Sequence, residues 1–66
     1  MLPLISAGDL IVGSRFIDPH RAGRRMARVV ELLGVRNGEV RFLLNDDTGY
    51  GPWTASYPVS EQLEIA

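Results

Sequence analysis

Hydrophobic residues occur along this chain in short runs that are separated by turn-forming residues. Strands at such short, regular intervals are typical of an all-β barrel or sandwich. The pattern predicts five strands, at residues 10–17, 27–35, 40–45, 53–57 and 64–65. A long polar loop follows the first strand, because Asp18-Pro19 stops it and proline cannot donate to a strand ladder. A 3₁₀-like turn at residues 59–63 precedes the last strand.

The strongest local signal is the Asn-Gly pair at positions 37 and 38. Asn-Gly readily takes the positive φ angles of a two-residue hairpin turn, whose twist matches that of the flanking strands. Such a turn sets three pairs of residues opposite each other: Arg36 with Glu39, Val35 with Val40, and Leu33 with Phe42. Opposite charges then flank the turn, and apolar pairs follow it on one face. Residues 27–35 and 40–45 are therefore predicted to be neighbouring antiparallel strands.

A helix over residues 19–33 is the alternative for the second predicted strand. Asp18 could cap this helix, Pro19 suits its first turn and Gly34 lies just past its end. The apolar residues of the segment also fall on one helical face. We prefer the strand, because Gly23 weakens a helix and the hairpin accounts for both flanks of the Asn-Gly pair. Circular dichroism separates the two, since a strongly helical spectrum would exclude the barrel.

Four strands, a long loop after the first, a short 3₁₀ turn and a brief fifth strand follow one another in the order of an SH3-like barrel. The stretch from Tyr57 to Ile65 is similar to the closing strand, turn and strand of the plasmid-borne type II dihydrofolate reductases, an SH3-like family that works as a tetramer. The pore of that family carries Val-Gln-Ile-Tyr, whereas this chain has Thr-Ala-Ser-Tyr at positions 54–57. The family's active site therefore does not carry over.

The segments 13–18 and 21–30 also resemble small single-domain proteins that are common in phage and actinobacterial genomes. The two resemblances together cover nearly the whole chain. They imply an SH3-like five-strand small barrel with a long loop after the first strand, and they leave the function open.

The chain has 66 residues and no cysteine. A domain this small buries about 60% of the surface that its unfolded chain exposes, and no disulfide adds stability. We therefore expect a single domain over residues 1–66 that closes its sheet or self-associates, with a homodimer as the simplest assembly. The sequence shows no secretory leader and no apolar run of about 20 residues. A cytoplasmic protein without a membrane partner is the expectation.

Charge is unevenly distributed along the chain, although the net charge is −1. Five arginines and one aspartate lie between positions 15 and 28, whereas four acidic residues and no basic one follow from Asn45 onward. All seven basic residues are arginine, whose planar fork binds carboxylates and phosphates in bidentate fashion. Two interpretations stay open. In the first, the charges have no binding role, because the two segments either neutralise each other within the fold or form solvated rims. In the second, they form a polarised surface that selects a charged partner.

Residue types that enzymes and metal sites need are scarce in this sequence. His20 is the one histidine, and in its arginine-rich polar segment a solvated loop residue is a better interpretation than a catalytic base. The sequence has no glycine-rich phosphate loop. Asp46, Asp47 and Thr48 supply too few ligands for calcium and more readily serve the turn, where aspartate bonds its own backbone. We therefore predict a non-enzymatic protein with no metal and no cofactor.

Aromatic residues carry the binding prediction. Tyr50, Trp53 and Tyr57 lie in the loop and strand that border the ligand groove of SH3-like barrels. Such residues form shelves for proline, cages for cations or platforms for bases. Phe16 and Phe42 are predicted to be core residues. A core position is an equally weighted alternative for Trp53, because the chain has a single tryptophan.

Two functions from different classes follow from these residues. In the first, which we favour, the domain binds a protein: Trp53, Tyr50 and Tyr57 are apolar anchors and the basic segment selects an acidic partner. The predicted contacts in the basic segment are Arg21, Arg24, Arg25 and Arg28. The resemblance to phage proteins suggests an inhibitor or adaptor that acts on a host complex. In the alternative, the arginines bind the phosphates of RNA or single-stranded nucleic acid while the aromatic residues stack on bases.

Overall fold

The computed structural model describes residues 3–20 and 25–65. Within these residues the chain is all-β, as the sequence predicts, with six strands and one 3₁₀ turn at Ala7–Asp9. The strands are β1 (Leu4–Ser6), β2 (Arg15–Ile17), β3 (Met26–Arg36), β4 (Glu39–Asn45), β5 (Trp53–Pro58) and β6 (Gln62–Ile65). The described part of the chain contains no helix long and apolar enough to cross a membrane.

The six strands form one antiparallel sheet in the order β1-β6-β2-β3-β4-β5. Among the described residues no ladder joins the edge strands β1 and β5, so the sheet is not closed into the five-strand barrel that the sequence predicts. The sheet is nevertheless strongly curled. The ring centroids of Phe16 in β2 and Tyr57 in β5 are 5.8 Å apart, although β3 and β4 lie between these strands in the sheet.

The beginning of the chain departs from the prediction. The predicted strand at 10–17 is reduced to β2, because the chain turns between Ile11 and Ser14. The Ser14 N–H donates to the Ile11 carbonyl (2.9 Å), and the Ile11 N–H donates to Ser14 Oγ (3.0 Å). Gly13 has a φ angle of 93°, which a side chain would strain. Strand β1, which the sequence pattern did not predict, pairs with β6.

The 3₁₀ turn also lies elsewhere than predicted. It precedes β2 at Ala7–Asp9, whereas residues 59–60 form a simple turn and β6 begins at Gln62. The two turns contact each other, since the Ala7 N–H donates to the Glu61 carbonyl (2.8 Å) and the Gly8 N–H donates to the Val59 carbonyl (2.9 Å). The N-terminal segment therefore covers the end of the curled sheet next to β5 and β6.

The hairpin between β3 and β4 forms about the predicted turn. Asn37 and Gly38 have φ angles of 54° and 77°, which are the positive values that this turn requires. Two predicted pairs are confirmed: Arg36 with Glu39, and Val35 with Val40. Because β3 is an extended strand over Met26–Arg36, the helical alternative is excluded for these residues. Residues 21–24 of that alternative lie outside the described residues.

The third predicted pair of the hairpin is wrong. Phe42 lies opposite Leu32 rather than Leu33, because the register of β3 shifts between Leu32 and Gly34. A second shift places Val30 outside the ladder. Each bulge adds one residue on the bulged strand, bends that strand and increases its twist. The two bulges explain how a strand of 11 residues can belong to a curled sheet.

The core lies on one face of the curled sheet. Along β4 the buried residues Val40, Phe42 and Leu44 alternate with more exposed ones, as expected for a strand with one face against the core. Phe16 and Phe42 are both fully buried, which confirms their prediction as core residues. The buried apolar residues are Ala7, Leu10, Phe16, Ala27, Val29, Val40, Phe42, Leu44, Tyr57 and Leu63.

Candidate functional site

The loop between β4 and β5 is organised by a buried carboxylate. Asp46 is 7% exposed, and its Oδ1 accepts hydrogen bonds from the Thr48 N–H (2.9 Å), the Thr48 hydroxyl (2.7 Å) and the Tyr50 N–H (3.0 Å). The Asp46 N–H in turn donates to the Tyr50 carbonyl (3.2 Å). The predicted turn role of Asp46 is therefore confirmed. One side chain ties together the loop that carries Tyr50.

Tyr50 and Trp53 form an aromatic pair on this loop. Their ring centroids are 5.8 Å apart and their planes are inclined at 48°. Tyr50 is 61% exposed, whereas Trp53 is half-buried and packs against the core. Trp53 is therefore neither a fully buried core residue nor a fully exposed one, because part of its indole contacts the core and part stays accessible.

Gly51 allows the indole of Trp53 to pack so close to the chain. Its φ angle is +112°, and a Cβ atom at this position would lie 3.1 Å from Trp53 Cε3 and 3.2 Å from the Cα of Asn45. Both the backbone angle and the close approach favour glycine. Gly51 therefore permits the close packing of Trp53 against the end of β4.

The third predicted anchor, Tyr57, lies in the core rather than on the surface. Its side chain is 0% exposed, and its ring packs against Phe16 and Phe42, with centroids at 5.8 and 6.4 Å. Burial raises the pKa of the Tyr57 phenol above its usual range, and the nearby Asp18 carboxylate raises it further. Tyr57 is removed from the set of accessible anchors, because the curl of the sheet turns its face inward.

A polar cluster that the sequence did not reveal covers Tyr57. Asp18 is buried, with 1% exposed, and its Oδ1 accepts the His20 N–H (2.9 Å). The His20 ring stacks on Tyr57 with centroids 5.4 Å apart, and its Nε2 lies 3.3 Å from Glu61 Oε2. The Asp18 N–H donates to the Arg25 carbonyl (2.9 Å). The cluster joins the two ends of the arginine-rich loop to the core.

The arginine segment is described in part. Arg21 and Arg24 lie outside the described residues. Arg25, at the end of the loop, and Arg28, on β3, are exposed, and neither forms an ion pair within the described part of the chain. Both guanidinium groups are therefore exposed without a carboxylate partner in the part of the chain that the structure describes.

Arg15 belongs to the same basic segment but has a different role. It lies directly opposite Arg28 in the ladder of β2 and β3, where like charges repel. Its guanidinium forms an ion pair with Asp47 in the β4–β5 loop. At this pair the basic and acidic segments neutralise each other within the fold, which is one of the two interpretations that the sequence left open.

The β4–β5 loop and the start of β3 enclose an open hollow of about 310 Å³. Its lining residues are Arg25, Met26, Asp46, Asp47 and Thr48. Asp46 connects this hollow to the aromatic pair, because its carboxylate also binds the Tyr50 N–H. We call the exposed parts of Arg25, Tyr50 and Trp53 the loop surface. Arg28 lies opposite Asn45, so its side chain is on the other face of the sheet from Leu44 and Trp53.

Within the described residues, no three histidine or acidic side chains are grouped so that they could hold a metal ion. No known family model, curated protein or solved structure matches this chain.

Proposed function

We propose that this domain is a non-enzymatic protein-binding module and that the loop surface is its contact site. The observation that carries the proposal is the pair of exposed Tyr50 and half-buried Trp53 at a loop held by the buried Asp46. Tyrosine and tryptophan contribute much of the binding energy at protein interfaces. A loop that is already ordered loses little conformational entropy when it binds.

The arginines near the start of β3 indicate the kind of partner that we propose. Arg25 and Arg28 have no ion pair within the described residues, whereas Arg15 is neutralised by Asp47. Arginine forks bind carboxylates in bidentate fashion. We therefore expect the partner to present an apolar or aromatic side chain next to carboxylates. An inhibitor or adaptor that acts on a larger complex would recognise its target in this way.

Nucleic acid is the weaker candidate for the same surface. Asp46 and Asp47 border the hollow that Arg25 lines, so phosphates approaching Arg25 would meet carboxylates of like charge. A nucleic acid carries a phosphate at every nucleotide, whereas a protein segment can place one carboxylate on Arg25 and uncharged residues beside Asp46 and Asp47. The arrangement of charges favours protein.

The SH3-like assignment stays a prediction. The order of β2 to β6 along the chain, with the long loop directly after β2, supports it. The proposed binding function depends on the loop surface and not on closure of the sheet.

The proposal is tested by selecting short random peptides on the immobilised full chain and measuring their affinity through the fluorescence of Trp53. We expect selected peptides to combine aromatic or apolar residues with Asp or Glu. Tyr50→Ala should raise their Kd at least about tenfold. Ser56→Ala, an exposed substitution three residues after Trp53 and on the opposite face of β5, should leave the Kd unchanged. Peptides that bind Tyr50→Ala as tightly as the native chain would exclude the loop surface.

A salt titration separates the two partner classes. Affinity for oligo(dT) through several arginine–phosphate contacts would fall steeply with salt. Peptide binding, which combines the aromatic pair with only one or two carboxylate contacts, should fall much less steeply. Retention of oligo(dT) at physiological salt, with loss in Arg25→Gln and Arg28→Gln, would overturn the protein assignment. No retention of oligo(dT) together with binding of selected peptides would support it.

A further inference from the structure

Most of strand β3 has a neighbour on one side only. Strand β2 pairs with Met26, Ala27 and Arg28, and the turn before β2 extends the contact to Val29, whose N–H donates to the Ser14 carbonyl (2.9 Å). From residue 30 to residue 36, β3 has β4 on one side and no described strand on the other. An edge of this kind exposes backbone N–H and C=O groups that can pair with another strand.

The edge is also strongly apolar. Exposed fractions along it are 39% for Val30, 50% for Leu32, 43% for Leu33 and 62% for Val35. The turn beside the start of the edge adds two further apolar side chains, Ile11 (72%) and Val12 (61%). These make six of the eight large hydrophobic residues that are exposed among the described residues.

The exposed apolar area is comparable to the largest apolar patch of a typical monomer, which is often a functional surface. The six side chains together expose roughly 500 Å², which falls in the range of patches that mark interaction sites. A strand paired along this edge would cover the patch and the backbone beside it, and approach the roughly 800 Å² per partner of a stable interface.

The charges on the edge are self-complementary. Glu31 lies opposite Leu43, and Arg36 lies opposite Glu39. Since Leu43 and Glu39 are four residues apart on β4, Glu31 and Arg36 point to the same face of the sheet. The bulge at Leu33 causes this, because residues five apart would otherwise face opposite sides. Neither charge has an ion pair within the described residues.

The apolar residues show the same relationship. Leu32 lies opposite Phe42 and Val35 lies opposite Val40, two residues away on β4. Leu32 and Val35 are therefore on a common face, which is the face of the core. Glu31 and Arg36 thus lie on one face of the edge, and Leu32 and Val35 lie on the other. The two members of each pair are equally far from the midpoint between residues 33 and 34.

We propose that two copies of this chain pair through the free edge of β3, antiparallel and related by a two-fold axis between Leu33 and Gly34. In this register Glu31 lies opposite Arg36 of the second copy, and Leu32 lies opposite Val35 of the second copy. The two-fold axis repeats each contact. The two sheets become one continuous sheet whose core extends over the otherwise exposed end of the β3–β4 hairpin.

A second copy fits this edge better than an unrelated strand. In one register it pairs opposite charges on one face of the sheet and apolar side chains on the other. The pairing also supplies the apolar burial that a domain of 66 residues lacks. The paired residues, Glu31 to Arg36, include no residue of the loop surface, so we expect a dimer to present two loop surfaces. The proposal does not depend on the proposed function.

The first test is sedimentation of the native chain between about 1 and 500 µM, with Leu33→Lys and Leu4→Lys as a matched pair of variants. A lysine at an exposed edge blocks strand addition without disturbing the core. Leu4 is 53% exposed on β1, the edge strand near the other end of the sheet. We expect a native dimer, a monomer for Leu33→Lys and a dimer for Leu4→Lys. A native monomer over the whole range, or a dimer that Leu4→Lys alone dissociates, would overturn the proposal.

The second test examines the register by exchanging charges. Glu31→Arg and Arg36→Glu each place two like-charged pairs across the axis, and each should raise the dimer Kd at least about tenfold. The double variant Glu31→Arg with Arg36→Glu restores both pairs and should return the Kd to within about threefold of the native value. Asp9→Arg, an equal charge reversal on the 3₁₀ turn, should have no effect. Single and double variants that associate equally well would exclude this register.

Discussion

Phe16 and Tyr57 meet edge to face across the core, with ring centroids 5.8 Å apart and planes at 85°. Their strands, β2 and β5, are not neighbours in the sheet. The contact therefore exists because the sheet curls until its inner face packs on itself. His20 stacks on the outer side of Tyr57 and separates it from water. Tyr57 thus holds the curled sheet, and its loss should be more damaging than that of any loop residue.

Tyr57→Ala should lower the free energy of unfolding by about 3–5 kcal/mol, which is the usual cost of deleting a buried aromatic ring. In a domain this small the variant is expected to be largely unfolded. Tyr57→Phe keeps the ring and should remain folded. Circular dichroism and urea denaturation measure both, and a well-folded Tyr57→Ala variant would contradict the central position of this ring.

Alkaline pH should destabilise the domain through Tyr57. Burial and the Asp18 carboxylate raise the pKa of its phenol in the folded state above the value of about 10 that it has in the unfolded state. The folded state thus holds this proton more tightly, so the contribution is complete below pH 10 and declines as pH rises beyond it. The expected slope is about 1.4 kcal/mol per pH unit. Urea midpoints between pH 8 and about 11 should fall for the native chain and fall less for Tyr57→Phe.

Removal of the Asp46 carboxylate should loosen the loop surface. Asp46→Ala leaves the Thr48 and Tyr50 N–H groups without their acceptor and should cost about 1–3 kcal/mol of stability. Asp46→Asn retains an acceptor oxygen and should lose less. Asp47→Ala, which removes a surface ion pair with Arg15, should cost below about 1 kcal/mol. If urea denaturation shows a larger loss of stability for Asp47→Ala than for Asp46→Ala, Asp46 does not organise the loop.

Gly49 and Gly51 of the β4–β5 loop both have positive φ angles, so alanine substitutions at the two positions form a matched pair of variants. Gly51→Ala places a methyl group 3.1 Å from Trp53 Cε3 and 3.2 Å from the Cα of Asn45, at a φ angle of +112°. Gly49→Ala meets no atom within 4 Å and has the strain of a positive φ angle alone. We expect a loss of about 1–2 kcal/mol for Gly49→Ala and a clearly larger one for Gly51→Ala. The fluorescence of Trp53 should shift in Gly51→Ala, and equal spectra for both variants would argue against the close packing.

Local features of the sequence predicted several parts of the structure. The Asn37-Gly38 turn, its nearest cross-strand pairs and the turn role of Asp46 depend on residues close together in the chain, and all are confirmed. The exposure of Tyr50 and the burial of Phe16 also agree with the prediction. The burial of Tyr57 could not be predicted, because it depends on contact with Phe16 of strand β2, about 40 residues earlier.

By itself, the sequence determined an all-β chain, the hairpin at its centre and an aromatic loop beside an arginine segment. These follow from alternation, turn chemistry and charge, which act between near neighbours. Only the tertiary structure decided which of the aromatic residues stays accessible, which arginine is neutralised and where the β3 ladder slips by one residue. The physical reason is that these outcomes depend on contacts between residues far apart in the chain, such as Tyr57 with Phe16 and Arg15 with Asp47. The bulge at Leu33 in turn places Glu31 and Arg36 on the same face.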